Sequence, residues 1–253
     1  MADISMYPPK FRGKQPTLKD ISEARVIFCP SHRLNEFFDD YNTQINASVI
    51  ICGNSDFEFH QIPARVPASV KQLFLQNSFI SDDSRISTLP IGIENFRWGV
   101  NGNPKYMKSE IPFSARKSEV LIGPFGLTHP IRSEIREKFS GGHKGVSLLT
   151  ERYEPQEYSK IASDYKFVGA VRGNGVDTHR LWETLYRGSI PLIQTDDWAK
   201  GLRGLNLPLI EIARWEERAI LEIIESPIER GFEIKKIDAI WWPFWKKLIS
   251  TYL

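Results

Sequence analysis

Short apolar runs alternate with amphipathic stretches along the first part of the chain. The runs at 25–29 and 47–52 predict buried strands, because they are too short for helices and lack a polar alternation. Between them Leu34, Phe37 and Phe38 recur at helical spacing, which predicts a β-α-β unit. Runs at 71–75 and 89–93 predict two further strands. The first part is therefore expected to form half of a parallel α/β sheet.

The same pattern restarts after an irregular stretch at 94–117, which contains several glycines and prolines and indicates a connection between domains. The strands and helices predicted beyond it alternate: strands at 119–123, 145–149, 165–170, 190–193 and 207–212, and helices at 130–139, 155–164 and 178–187. The fold class is thus α/β, with Rossmann-like parallel-sheet domains at 1–108 and 109–253. Two such domains facing each other would enclose a cleft, with ligands beyond the carboxyl ends of the strands.

The composition of the chain argues against several classes of function. The 33 Lys+Arg and 31 Asp+Glu residues leave a formal net charge of +2, which argues against an electrostatic nucleic-acid binder. The two cysteines, Cys29 and Cys52, lack zinc spacing and favour a reducing compartment. The chain shows no signal peptide pattern and no apolar run of membrane-spanning length, so a cytoplasmic location is expected.

The segment 167–193 is the most informative part of the sequence, because it reads as strand, glycine-rich loop, helix, glycine stop and strand. The loop 172–175 offers backbone amides at a helix start, and Arg172 and Arg180 add forked donors for phosphate oxygens. Glu183, one turn further, is suited to accept hydrogen bonds from ribose hydroxyls. These features favour a nucleoside diphosphate. The alternative is a tight turn with solvated charges, and Thr178 in place of a third glycine disfavours NAD.

The run from Arg172 to Pro191, preceded by the strand that starts at Tyr165, resembles the exostosin-like glycosyltransferases, particularly bacterial members for surface-polysaccharide assembly. A fainter similarity lies at 89–95, and the layout is also similar to the donor end of fucosyltransferases. The resemblance implies a two-domain GT-B architecture and inverting sugar transfer. It implies a nucleotide-sugar donor, of the UDP or GDP type, in the C-terminal half, and a glycan or lipid-linked acceptor in the N-terminal half.

The resemblance also implies roles for individual residues. It places Arg172 on the donor diphosphate and Glu183 on the ribose. The remaining positions expected at the donor are Gly173, Asn174, Gly175, Asp177, Thr178, His179 and Arg180. A second loop running into a helix, 123–132, makes Arg132 a further candidate for phosphate or sugar contact, against the alternative of a plain helix start capped by Thr128.

The general base is expected from the N-terminal half, where it would remove the proton of the acceptor hydroxyl. Asp56 is the first choice, because a carboxylate in a loop after a strand can have its pKa raised in a closed cleft. Glu94 and His32 follow. For each residue taken alone, a turn-forming, capping or solvent-exposed role is the competing interpretation.

No metal site is predicted. The chain has no Asp-x-Asp, and adjacent aspartates diverge in a strand or turn. Arginines and helix amides are expected to balance the charge of the leaving group. Because the N-terminal half is short for a GT-B enzyme, the alternative is a noncatalytic nucleotide-sugar or glycan-binding module in a larger assembly. A nicotinamide-dependent oxidoreductase is a third, disfavoured hypothesis.

The C-terminal stretch 240–249 concentrates three tryptophans beside two lysines. Aromatic and basic residues together favour peripheral contact with a membrane face through 241–247, where a lipid-linked acceptor would lie. The competing interpretation is an aromatic helix that packs back on the body of the protein and buries the same residues. The sequence leaves both open.

Overall fold

The computed structural model describes residues 1–6, 15–96, 102–226 and 233–253. Over these residues the protein is α/β, with two five-stranded sheets in which every pairing is parallel. The chain divides into two compact units. The first comprises Met1–Ile91, Asp196–Leu205 and Trp241–Leu253, and the second comprises Gly92–Thr195 and Asn206–Ile240.

The sheet of the first unit follows chain order, β1-β2-β3-β4-β5. Its strands are β1 Ile4–Ser5, β2 Val26–Pro30, β3 Val49–Gly53, β4 Gln72–Leu75 and β5 Ile86–Thr88. The first two helices of the unit are α1 Leu18–Glu23 and α2 Leu34–Tyr41, each between two strands. A capping box at Thr17 and Asp20 starts α1, because each side chain accepts a hydrogen bond from the backbone of the other residue.

One face of this sheet packs against α1 and α2. Alternate strand residues such as Ile27, Ile50 and Leu73 join apolar side chains of both helices in one buried cluster. Right-handed crossovers between strands in sequential order place their helices on a single face, so the other face needs a different cover. Phe74, whose side chain points to that other face, is fully buried by the C-terminal segment.

The last helix of the chain, Trp242–Ser250, supplies this cover and ends the first unit. The ring of Phe74 meets Trp245 and Tyr252 edge to face, at centroid distances of 6.5 and 6.1 Å. Arg25 donates a hydrogen bond to the carbonyl of Leu253, and the Lys71 ammonium donates one to the carbonyl of Tyr252 at 3.4 Å. The chain end is therefore held against the first sheet.

The sheet of the second unit has the order β10-β9-β8-β6-β7. Its strands are β6 Lys117–Ile122, β7 Val146–Leu148, β8 Tyr165–Gly169, β9 Ile190–Gln194 and β10 Ile210–Ile212. The helices that follow α2 along the chain are α3 Pro130–Phe139, α4 Pro155–Ser163, α5 His179–Tyr186, α6 Asp197–Leu202, α7 Glu217–Glu225 and α8 Trp242–Ser250. Of these, α6 and α8 belong to the first unit.

The strand predicted at 89–93 is wrong, because the fifth strand is Ile86–Thr88 and pairing ends with the amide of Leu89. Pro90 has no N–H to donate, and Gly92 adopts a φ of +69°, so neither can extend a ladder. The other predicted strands and helices of both halves are present within a few residues of their expected bounds. The short strand β1 and the helices α1, α6 and α7 were not predicted.

The two units differ from the division drawn at 108/109. The boundary lies at 91/92, and two later segments return to the first unit. One reason is the packing of α8 on Phe74; the other is the approach of α6 to β5, where a Cβ added at Gly201 would overlap the Thr88 hydroxyl. Among the described residues, no helix has the length and apolar character needed to cross a bilayer.

Candidate anion site at the switch point of the second sheet

The strand order of the second sheet reverses between β6 and β8. Counted from the first strand of the unit, the order is 2-1-3-4-5, so the connections after β6 and β8 diverge to opposite sides. In open parallel sheets a crevice forms at such a switch point, beyond the carboxyl ends of the strands. The loops that leave β6 and β8 are the two that sequence analysis selected, at 123–129 and 170–178.

A helix begins at the end of each loop. His129 caps α3, since its Nδ1 accepts a hydrogen bond from the amide of Ile131 at 3.3 Å, and Pro130 occupies the first turn. The cap of this helix is therefore His129 and not Thr128, and a contact of Arg132 with phosphate or sugar stays a prediction. Thr178 precedes α5 in extended conformation, and its side chain makes no capping hydrogen bond. The first amides of α5 are therefore not capped by this side chain.

Arg132 joins the two loops. Its Nε donates to the carbonyl of Arg172 at 2.7 Å and its Nη2 to that of Val171 at 3.0 Å, both on the β8 loop. Its Nη1 donates to the carbonyl of Gly126 at 3.0 Å and to the Thr128 hydroxyl at 3.1 Å, both on the β6 loop. One guanidinium thus positions both sides of the crevice.

Gly173 lies against this guanidinium. A Cβ added at Gly173 would stand 2.9 Å from Nη2 of Arg132, so no larger residue fits without displacing the arginine. The amide of Gly173 donates to the carbonyl of Gly175 at 3.0 Å, which closes a tight turn with Asn174 exposed at its tip. The loop therefore needs this glycine for close packing in a tight turn, and phosphate binding by the loop amides stays a prediction.

Arg180, on the first turn of α5, holds the start of the β6 loop. It donates to the carbonyl of Gly123 at 2.7 Å and to that of Pro124 at 3.0 Å. Its guanidinium also stacks on the ring of Tyr158, 4.3 Å from the centroid, and donates to the phenol oxygen. Burial raises the pKa of Tyr158, so the phenol is neutral at physiological pH.

The charges of Arg132 and Arg180 are not neutralised by hydrogen-bonded carboxylates in the part of the chain that the structure describes. Every acceptor named above is an uncharged oxygen. Burial, and secondarily the charge of Arg180, lowers the pKa of Arg132 to about 10. The crevice therefore holds two half-buried cations close enough to repel each other, and an anion would relieve this repulsion.

The acidic residues of the motif face inward. Asp177 is buried and accepts a hydrogen bond from the indole of Trp182 at 2.8 Å. Glu183 is buried beside Arg187, 3.6 Å away between Oε2 and Nη1, and burial lowers the pKa of Arg187. In this structure Glu183 thus contacts a buried arginine, and its role at a ribose stays a prediction.

The other motif positions are His179, Arg172 and Asn174. His179 Nδ1 lies 2.7 Å from the carbonyl of Gly92, and together they connect α5 to the start of the second unit. Arg172 is half-buried in the β8 loop, next to the exposed Asn174. Asn174 is thus exposed and Arg172 partly exposed, whereas Asp177 and Glu183 are buried.

In the first unit, side-chain contacts connect the loops that follow β2, β3 and β4 at one edge of the sheet. Nδ1 of His32 lies 3.2 Å from the Ser55 hydroxyl, and the Asn77 amide donates to the Ser55 carbonyl at 3.1 Å. Asp56 follows Ser55 and is exposed to solvent. The structure thus brings His32 and Asp56 to the same edge. Glu94 belongs to the second unit.

Sequence reasoning missed Tyr158 and the carbonyls of 123–126. Tyr158 occupies an apolar position of an amphipathic helix, which predicts only burial, and carbonyl acceptors leave no signal in side-chain identity. Over the described ranges, no group of three or more His, Cys, Asp or Glu residues is arranged to hold a metal ion.

Comparison with known proteins does not assign this chain to a family. No model of a known protein family matches it, and a search of curated protein sequences returns no match either.

Proposed function

We propose that the second unit binds the diphosphate of a nucleotide sugar, and that the protein transfers the sugar to a hydroxyl of a glycan or lipid-linked acceptor. The observation that carries this proposal is the pair of guanidinium groups, Arg132 and Arg180, held on uncharged acceptors at the switch point. A diphosphate fits these cations and the amides at the start of α5. The strand, glycine-loop and helix motif resembles the exostosin-like donor half.

The transfer step divides between the two units. The diphosphate leaves from the sugar carbon as the acceptor oxygen attacks, and Asp56 takes the hydroxyl proton, with His32 as the second choice on the same edge and Glu94 as a further candidate. Arg172, Arg132 and the α5 amides stabilise the negative charge that develops on the leaving group, so the reaction is proposed to need no metal. The expected architecture is GT-B, with inversion at the sugar carbon.

The proposed location is the cytoplasm. Cys29 and Cys52 are neighbours in register on adjacent strands, yet both are free thiols. A reducing compartment would maintain this state.

The first test is a thermal-shift series with UDP, GDP, their sugar conjugates and NAD, with and without EDTA. A ligand that binds only the folded state raises the melting temperature by mass action. We expect a nucleoside diphosphate to raise it in the presence of the chelator, and NAD to leave it unchanged. No shift with any nucleoside diphosphate would refute the donor site.

Arg172→Ala tests the motif directly. Loss of a charge-assisted contact to the diphosphate should raise Kd about thirtyfold, which corresponds to ~2 kcal/mol. Arg136→Ala is the matched control, since Arg136 is exposed in the last turn of α3, one helical turn beyond Arg132. Equal affinities for both variants would remove Arg172 from the site.

A turnover assay distinguishes the glycosyltransferase hypothesis from the noncatalytic binding-module hypothesis. Once the donor is identified, the release of the nucleoside diphosphate measures both sugar transfer and donor hydrolysis. Asp56→Asn should retain donor affinity and lose turnover by several orders of magnitude, because the general base is absent. Donor binding by the wild-type protein without any turnover would instead support the noncatalytic module.

A further inference from the structure

The helix α8 divides the tryptophans of the C-terminal stretch between two environments. Trp245 is 7% exposed and packs on Phe74, whereas Trp241 is 38% exposed and Trp242 is 55% exposed. The packing expected from the sequence is therefore confirmed for Trp245, whereas Trp241 and Trp242 are exposed and their contact with a membrane stays a prediction. Ile249 adds to the buried side of the helix.

The exposed side of α8 is also basic. Lys246 and Lys247 are exposed, and the segment 241–250 contains no aspartate or glutamate. We call Trp241, Trp242, Lys246 and Lys247 the aromatic-basic patch. Single exposed apolar residues are common on monomeric proteins, but the segment 241–247 exposes two tryptophans and two lysines and contains no acidic residue, which gives it a defined chemistry.

The patch has a composition that suits a lipid surface better than a protein partner. Lysine is depleted in protein–protein interfaces, although tryptophan is enriched there. At membrane surfaces both residue types are favoured, because indole rings settle at the headgroup level and ammonium groups attract anionic lipids. The nine residues of α8 span about 14 Å, less than half of the ~30 Å hydrocarbon core, so the helix can only lie on the surface.

We propose that the aromatic-basic patch docks the protein on a bilayer surface that contains anionic lipids. The first unit holds α8 from beneath through Trp245 and through the bonds of Arg25 and Lys71 to the chain end, so docking requires no rearrangement of the helix. The patch belongs to the first unit, whereas the candidate anion site belongs to the second. Docking would bring a transferase to acceptors that are anchored in the membrane.

Co-sedimentation with lipid vesicles tests the proposal. The full-length protein should sediment with vesicles of phosphatidylcholine and phosphatidylglycerol in equal parts, and much less with phosphatidylcholine alone. High salt should release it. Lys246→Gln with Lys247→Gln should weaken binding to the anionic vesicles about twenty-five-fold, since each basic residue near such a surface contributes about fivefold.

The matched control is Lys19→Gln with Lys200→Gln. Both lysines are exposed on helices of the first unit other than α8, and the pair changes the net charge by the same amount. This control should bind as the wild type does. Trp241→Ser with Trp242→Ser should abolish binding, and the melting temperature should fall less than on loss of the buried Trp245, because Trp241 is 38% and Trp242 55% exposed. Quenching of tryptophan fluorescence by brominated lipid should be lost in the same variant.

Three outcomes would overturn the proposal. The first is failure of the wild-type protein to sediment with the anionic vesicles. The second is an equal loss of binding in the control lysine pair, which would indicate attraction by overall charge. The third is concentration-dependent dimerisation that the tryptophan substitutions abolish, without vesicle binding, which would assign the patch to a second copy of the chain. None of these outcomes depends on nucleotide binding, so they test membrane docking independently of the proposed donor site.

Discussion

The fit of Gly173 against Arg132 gives the sharpest test of how the crevice is held together. In Gly173→Ala the new methyl group would stand 2.9 Å from Nη2 and 3.2 Å from Cζ of Arg132. Ordinary contact requires the guanidinium to move about 0.7 Å, which stretches the 3.0 Å bond from Nη2 to Val171 beyond hydrogen-bonding range. The 2.7 Å bond from Nε to the Arg172 carbonyl weakens with it.

The expected loss follows from these two bonds. A hydrogen bond from a charged donor contributes about 2 kcal/mol, and partial loss of the second adds ~1 kcal/mol. Replacing glycine by alanine lowers the conformational entropy of the unfolded chain, which stabilises the folded protein by ~0.7 kcal/mol. The net destabilisation should be about 2 kcal/mol, which lowers the melting temperature by about 6 °C. Urea unfolding and differential scanning calorimetry measure the two quantities.

Gly126→Ala is the control for this substitution. Gly126 lies in the other loop of the crevice, and the nearest atom to an added Cβ is the Thr128 methyl at 3.8 Å, an ordinary contact. Its stability should equal that of the wild type. In an Arg132→Met background the Gly173→Ala penalty should shrink to the cost of the remaining 3.2 Å contact with the Thr128 hydroxyl, because no guanidinium remains to be displaced. An undiminished penalty there, or equal stability of the two alanine variants, would refute the reasoning.

Three further outcomes are expected from the packing. Burial raises the pKa of the Cys29 thiol to about 12 and that of Cys52 well above its ordinary value, so at pH 8 about one Cys29 thiol in ten thousand is ionised. Alkylation of the native protein by iodoacetamide, followed by mass spectrometry, should therefore be slow at both cysteines; rapid native labelling would contradict their burial. Glu183→Ala leaves Arg187 buried without its carboxylate and should lower the free energy of unfolding by about 3 kcal/mol, whereas replacing both residues with methionine should cost less. Phe74→Ala removes the ring beneath the C-terminal helix and should cost about 4 kcal/mol in urea unfolding; a loss below 1 kcal/mol would show that this helix packs only weakly on the first sheet.

The pattern of apolar residues was sufficient to locate most strands and helices of both sheets. Buried parallel strands are continuous apolar runs, and the helices between them show a 3.6-residue period, so each element can be recognised from neighbouring residues alone. The Gly-rich loop could be recognised for the same reason, since a strand, two glycines and a helix start follow one another along the chain. The strand at 89–93 failed because Leu, Ile and Ile satisfied the pattern while Pro90 and Gly92 prevented a ladder.

The order of the strands, and with it the switch point, could not be read from this pattern. The first sheet follows chain order and the second is 2-1-3-4-5, although the local sequence signals of the two halves are alike. Which strand pairs with which depends on the packing of segments far apart in the chain. The bonds of Arg132 are of this kind, because they reach backbone carbonyls about forty residues away.

The division of the C-terminal tryptophans has the same origin. Helical periodicity in 240–249 identifies an amphipathic helix but not the surface that it covers. The helices α1 and α2 cover one face of the first sheet, and Phe74 on the opposite face takes Trp245 of α8 as its partner. Local propensities thus define the elements of this protein, whereas the open face of a distant sheet decides which tryptophan is buried and which two remain exposed.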